Sequence, residues 1–256
     1  MDGINKMTAL RGAIAAVVLN TALCLTAAAQ GDDFGMWYEL TAEKKINKKW
    51  SVDVEGEFRT RNDAKTADRW SIGAAGEYKI NKWLKASAGY TLLYDNNPGK
   101  LTYNDDGAYN NWRPSYWGVR HRVNVSVAGS IDLGRWSLSL RERWQYTYRP
   151  EKTTERYDFD NSYWEDKTVK SKGRNVLRSK LKVDYNIRKC KVDPYADVEM
   201  FNAWDVQKVR YTIGADWKIT KAHTVGVAYH YQYAADDDDD EDTNSHIIGI
   251  SYKFKF

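Results

Sequence analysis

Apolar and polar residues alternate along most of this chain. From Trp50 to Phe58 the even positions are mostly apolar and the odd ones polar or charged. The same period runs through 70–80, 84–94, 119–131, 177–187, 209–219 and 225–233. A period of two predicts strands with one apolar face, and no segment carries a 3.6-residue stripe. Eleven strands are expected, starting near Phe34, Trp50, Arg69, Trp83, Trp117, Arg135, Asn175, Val192, Gln207, His223 and Ser245.

Tight turns punctuate the pattern, and each begins with isoleucine: Ile46, Ile80, Ile131, Ile187 and Ile219. Their spacings are 34, 51, 56 and 32 residues. Two strands of about 11 residues with short loops fill the shorter spacings. The surplus in the longer ones falls in two polar loops, Asp95 to Tyr116 and Pro150 to Gly173. Tight turns at one end and long loops at the other are what outer-membrane β-barrels show.

A soluble sandwich alternates too, so other features must decide. Aromatic residues sit near strand ends: Trp50, Trp83, Trp136 and Trp217 beside the tight turns, and Trp70, Tyr94, Trp117, Tyr146 and Tyr229 toward the loops. Two girdles are expected where lipid meets water. The chain closes on an alternating strand, with Tyr252, Phe254 and Phe256 on one face, like the assembly signal of Gram-negative barrels. Residues 1–29 read as a secretory signal: Lys6 and Arg11, a weakly apolar run to Leu25, then Ala27-Ala28-Ala29. Asn20 interrupts the run, which is shorter than the roughly 20 residues a membrane anchor needs. The expectation is an all-β single transmembrane antiparallel up-and-down barrel over 30–256. It would have about 10–12 strands, because even numbers are the bacterial rule.

Composition agrees once read through that pattern. The mean hydropathy of the 256 residues is -0.72. This excludes helical spans but not a barrel, whose apolar and charged faces cancel. The 11 Trp and 18 Tyr against 6 Phe suit a lipid–water interface. A net charge of +4 is too small to imply nucleic acid as a partner. Beyond the signal only Cys190 remains, so no internal disulfide is expected.

The runs Phe34 to Tyr38, Glu43 to Trp50, Glu55 to Arg61, Leu140 to Tyr146 and Leu177 to Leu181 resemble an uncharacterised Gram-negative outer-membrane β-barrel family. That family is catalogued only as a domain of unknown function. The resemblance covers essentially the whole chain after the signal. It implies a single barrel in the outer membrane, in contact with its lipid and with the barrel-assembly machinery, and supplies no catalytic residues.

Candidate chemistry lies on the inward positions. Arg59, Arg61, Arg69, Arg120, Arg122, Arg143, Arg178, Lys180, Lys208 and Arg210 fall there in the loop-end half, with Arg141 beside them. The acids expected in that half are Glu39, Glu57 and Glu199, with Glu55 next to Glu57. The turn-end half is mixed: Asp53, Glu77, Asp184 and Asp216 against Lys79, Lys182 and Lys218. A basic lumen focuses field and draws small anions or acidic saccharides. The competing reading is a structural ladder of paired Arg and Glu in a lumen filled by side chains. Glu142 interrupts the apolar face of its strand, and a bulge within Arg141-Glu142-Arg143 is expected to turn it inward.

Three further readings are weighed. The seven acids from Asp236 to Asp242 offer carboxylates such as Asp236, Asp238 and Asp240 to a hard cation, but lack EF-hand spacing, and a solvated loop is expected. Catalysis is not expected. His230 alone among the histidines after the signal faces inward; pairing sets it beside Thr212, four residues from Asp216, with Ser251 diagonal to it. No cofactor motif is present. Lastly, Asn96 to Gly99, Trp112 to Pro114 and Tyr157 to Trp164 offer rings for a glycan-binding surface.

Overall fold

The structure, a computed structural model, describes residues 32–234 and 244–256. The signal read in 1–29 and the acidic run 236–242 lie outside these residues. Every element described is a strand. Eleven form a closed barrel: β1 (Asp33–Lys45), β2 (Trp50–Arg61), β3 (Thr66–Lys79), β4 (Leu84–Asn97), β7 (Tyr116–Leu133), β8 (Trp136–Arg149), β11 (Lys172–Tyr185), β12 (Val192–Ala203), β13 (Asp205–Lys218), β14 (His223–Ala234) and β15 (Ser245–Lys255). The other four, β5 (Lys100–Tyr103), β6 (Tyr109–Arg113), β9 (Lys152–Asp158) and β10 (Tyr163–Val169), form a separate sheet.

The count is odd, and the seam shows how. Neighbouring strands run antiparallel around the barrel until β1 meets β15, where the pairing is parallel, from Asp33 opposite Ser245 to Glu43 opposite Lys255. An odd ring of alternating strands must contain one such pair. All eleven strands read from the pattern are present, within the expected 10–12, and a parallel closure accommodates the odd number.

Three of the five tight turns share a chemistry. Asn47 Oδ1 accepts from the amides of Lys49 (2.8 Å) and Trp50 (2.9 Å). Asn81 Oδ1 accepts in the same way from Trp83 (2.8 Å) and Leu84 (2.9 Å). Thr220 Oγ1 does so for Ala222 and His223, both at 3.1 Å. A short polar side chain directly after the isoleucine thus satisfies two turn amides that a two-residue reversal would leave open.

Alternation sorts the two faces of the wall. Trp50, Trp83, Trp136 and Trp217 are exposed on the outside near the tight turns, and Trp70 and Tyr94 near the loops. Lumen positions are far more enclosed, and the most buried side chains, Leu93 and Glu199, both belong to them. The barrel therefore has its interior where its charges are.

The expected bulge at Glu142 does not form. Around it β8 pairs without a register shift, Glu142 facing Val127 on one side and Ser179 on the other. Strict alternation keeps the carboxylate on the outer face, where Oε2 accepts from Ser179 Oγ at 2.7 Å. A bulge would have broken two ladders, whereas an outward carboxylate costs less than an outward Arg or Lys.

Candidate functional site

Charge in the lumen is organised around buried carboxylates. Glu199, on β12, is 2% exposed. Its Oε1 accepts from Arg141 (2.7 Å) and Arg178 (3.1 Å), its Oε2 from Arg178 (2.9 Å), and Arg210 stands 3.7 Å away. The register explains the convergence: Arg210 faces Glu199 directly, while Lys180 faces Glu199 on β12 and Arg141 on β8. Asp197, one inward step toward the tight turns, takes Lys180 at 2.9 Å. Asp95 holds Arg69 and also Arg120, the latter at 3.1 Å. Glu57 pairs with Arg59 at 2.6 Å.

Aromatic rings complete the lattice. The guanidinium of Arg59 lies 3.9 Å from the Trp37 ring centre and that of Arg210 lies 4.5 Å from it. Phe201 is covered by Arg178 at 4.6 Å and Arg210 at 5.0 Å, with Lys208 at 5.7 Å. Cations that stack on rings while pairing with acids keep their charge satisfied out of water.

The remaining sequence-predicted residues fall as follows. Arg61 bonds Asp68 at 3.4 Å beyond a register shift in β2–β3. Arg122 bonds Thr147 Oγ1 at 3.3 Å. Neither Arg122 nor Arg143 has a carboxylate partner among the described residues, and Arg143 Nε is buried without an acceptor. Glu55 sits between Thr41 and Gly73 and makes no ion pair there. Asp184 takes Lys182 at 2.7 Å, and Asp216 lies opposite Gly226. Tyr252 accepts or donates at His223 Nδ1 (2.6 Å), while Phe254 stacks on Phe256 at 5.4 Å.

His230 faces Thr212 as the pattern required, with its Nδ1 3.0 Å from Thr212 Oγ1 and the Trp37 ring packed at 5.2 Å. Ser251 is not diagonal to it. His230 pairs with Ile247 and Ser251 with Gly226, four residues away.

Sequence reasoning missed Asp95, Asp197, Trp37 and Phe201. Asp95 was assigned to the loop, but β4 runs on to Asn97. The alternation Tyr195, Asp197, Glu199, Phe201 carries the signal for the others on β12.

The long loops are not irregular. β5, β6, β9 and β10 form a sheet in the order β10-β9-β6-β5. It continues the barrel wall: Asn97 faces Tyr116, and three residues further along both strands Lys100 faces Arg113. Likewise Arg149 faces Lys172, and Lys152 faces Val169. Leu101, Trp112, Tyr157 and Trp164 make one cross-strand row. Trp112 and Trp164 are 5.5 Å apart, Tyr157 and Trp164 5.3 Å. Beyond them Asp158 accepts from the backbone and side-chain amides of Asn161, which hold its carboxyl below the ordinary range.

Among the described residues no group of His, Cys, Asp and Glu is arranged to hold a metal ion. Compared with known proteins, residues 34–243 match a family model described as a protein of unknown function, DUF2490. No curated protein matches. Among solved structures the chain is similar to the beta domain of the Bordetella autotransporter BrkA, at 15% identity and a TM-score of 0.51, with 80% of each chain covered. It is also similar to the translocator domain of the autotransporter NalP from Neisseria meningitidis, at 11% identity and 0.53, covering 84% of this chain and 77% of that one. These likenesses show the fold: an outer-membrane type of β-barrel.

Proposed function

Because the chain belongs to the DUF2490 family, whose members are of unknown function, we propose its role from the lumen: a non-enzymatic structural barrel of the outer membrane, closed across its loop-end half. The observation that carries this is Glu199, almost fully buried and shared by Arg141, Arg178 and Arg210. Basic residues there serve first to fill and neutralise the interior. A carboxylate with three cations is fixed from several strands at once, which ties β8, β11, β12 and β13 together through the middle.

Anion attraction is what the same lattice leaves over. Arg122 and Arg143 keep charge without a carboxylate partner among the described residues, so any leak through the lumen favours small anions or acidic saccharides. Lipid of the outer membrane covers the apolar outer face, and the strand ending in Tyr252, Phe254 and Phe256 is the segment offered to the assembly machinery.

Planar-bilayer recording tests the reading. The wild-type barrel is expected to show no steady large conductance under a salt gradient. Glu199→Gln, which frees three arginines, is expected to give anion-selective current. Large steady steps from the wild type, or cation preference in the variant, would overturn it.

A further inference from the structure

The loop-end sheet separates its charges by face. Its four strands carry five cations, Lys100, Arg113, Lys152, Arg156 and Lys167. Alternation and register put all five on one face, with Asn111, Asp158 and Glu165. The other face holds Leu101, Tyr103, Trp112, Tyr157 and Trp164, with two acids, Glu155 and Asp166, and no cation. On the cationic face Arg156 pairs with Glu165. On the aromatic face Glu155 and Asp166 stand directly opposite one another, an unfavourable like-charge pair, and neither makes an ion pair among the described residues.

These rings are open. Tyr103 is 58% exposed, Trp164 50% and Trp112 42%. They also differ from the rings of the lumen. Trp37 and Phe201 are each covered by arginines that belong to the chain, whereas no cation of the described chain covers Trp112, Tyr157 or Trp164. Rings beside carboxylates are a surface complementary to a cation on an apolar stem: the ring faces take the stem and the charge, the acids take the ammonium or guanidinium hydrogens. The sheet also ends in an open edge. Among the described residues β10 pairs only with β9, so its outer edge offers backbone groups to an extended segment.

We propose that this aromatic, acidic face is a docking site for an extended peptide segment rich in lysine or arginine. The segment lies along β10 and across Trp112, Tyr157 and Trp164, with basic side chains reaching Glu155 and Asp166. This holds whether the lumen is open or closed.

The test uses the full barrel, refolded in detergent, and a fluorescent Lys-Ser repeat peptide read by anisotropy. A Gln-Ser peptide and a neutral glucose hexasaccharide serve as competitors. The Lys-Ser peptide is expected to bind, weakening with salt, and neither competitor to displace it. The double variant Glu155→Gln, Asp166→Asn keeps the shape of both side chains and is expected to weaken binding about fivefold to tenfold, the scale of two exposed charge contacts. Trp164→Ala is expected to weaken it further, and Lys100→Gln, on the opposite face, not to weaken it. Heat-modifiable migration in gels confirms that each variant has folded. Unchanged affinity in the folded double variant overturns the proposal, since binding would then belong to other acids of the chain. So does equal binding of the Gln-Ser peptide, or preferential binding of the saccharide.

Discussion

In the barrel wall most charges point inward and most rings outward, and the three most buried acids, Asp95, Asp197 and Glu199, are each met by an arginine or lysine. In the sheet that extends the same wall, one face carries all of the sheet's cations and the other carries rings and two acids that make no ion pair among the described residues. Both regions inherit one alternating period. The difference is what surrounds each face. Lipid outside the barrel demands an apolar outer face and forces charge inward, where only mutual pairing makes it tolerable. Above the lipid that demand lapses, and polarity is free to follow recognition instead of solvation.

The comparison predicts unequal responses to removing a charge. Glu199→Gln should be the most severe, because it strands three arginines in an enclosed space; a loss of about 3 kcal/mol is expected from denaturant unfolding in lipid vesicles. Asp95→Asn should cost about 2 kcal/mol in the same assay, since it strands Arg69 and Arg120. On the lipid face the sign reverses. Glu142→Leu should raise stability by about 1 kcal/mol, because it removes a carboxylate from the hydrocarbon at the loss of one hydrogen bond to Ser179. Smallest is Glu165→Gln in the loop-end sheet, where a half-exposed pair with Arg156 is worth well under about 1 kcal/mol. Should Glu165→Gln cost as much as Glu199→Gln, the distinction between the two regions would fall.

Much of the barrel was legible because its signal is local. Each strand announces itself by alternation, and each tight turn by isoleucine, followed in three of the five by Asn or Thr. Pairings across one turn, such as His230 with Thr212, follow directly. What could not be read depends on distance. The meeting of β1 with β15 joins residues over two hundred positions apart, so the alternation yields eleven strands without showing how an odd ring closes. The sheet of β5, β6, β9 and β10 was taken for irregular loop because its strands are short and their apolar positions are spaced by Asn, Asp and Thr. The inward set of basic residues was legible by parity, but their neutralisation was not. Asp197 and Asp95 had to be placed on strands before Lys180 and Arg69 had partners. Glu142 shows the opposite failure: a rule about cost suggested a bulge, and two intact ladders outweighed it.

The parallel seam gives the molecule two unlike ends. β1 enters at the loop end and β15 leaves at the tight-turn end, each bonded to the other along its length. The start of β1 and the end of β15 therefore lie at opposite ends of the barrel. The ring cannot shut until β15 pairs with β1, so closure joins the two strands most distant in sequence. A barrel closed in this way is a clasp, and its fastening is the parallel ladder between β1 and β15.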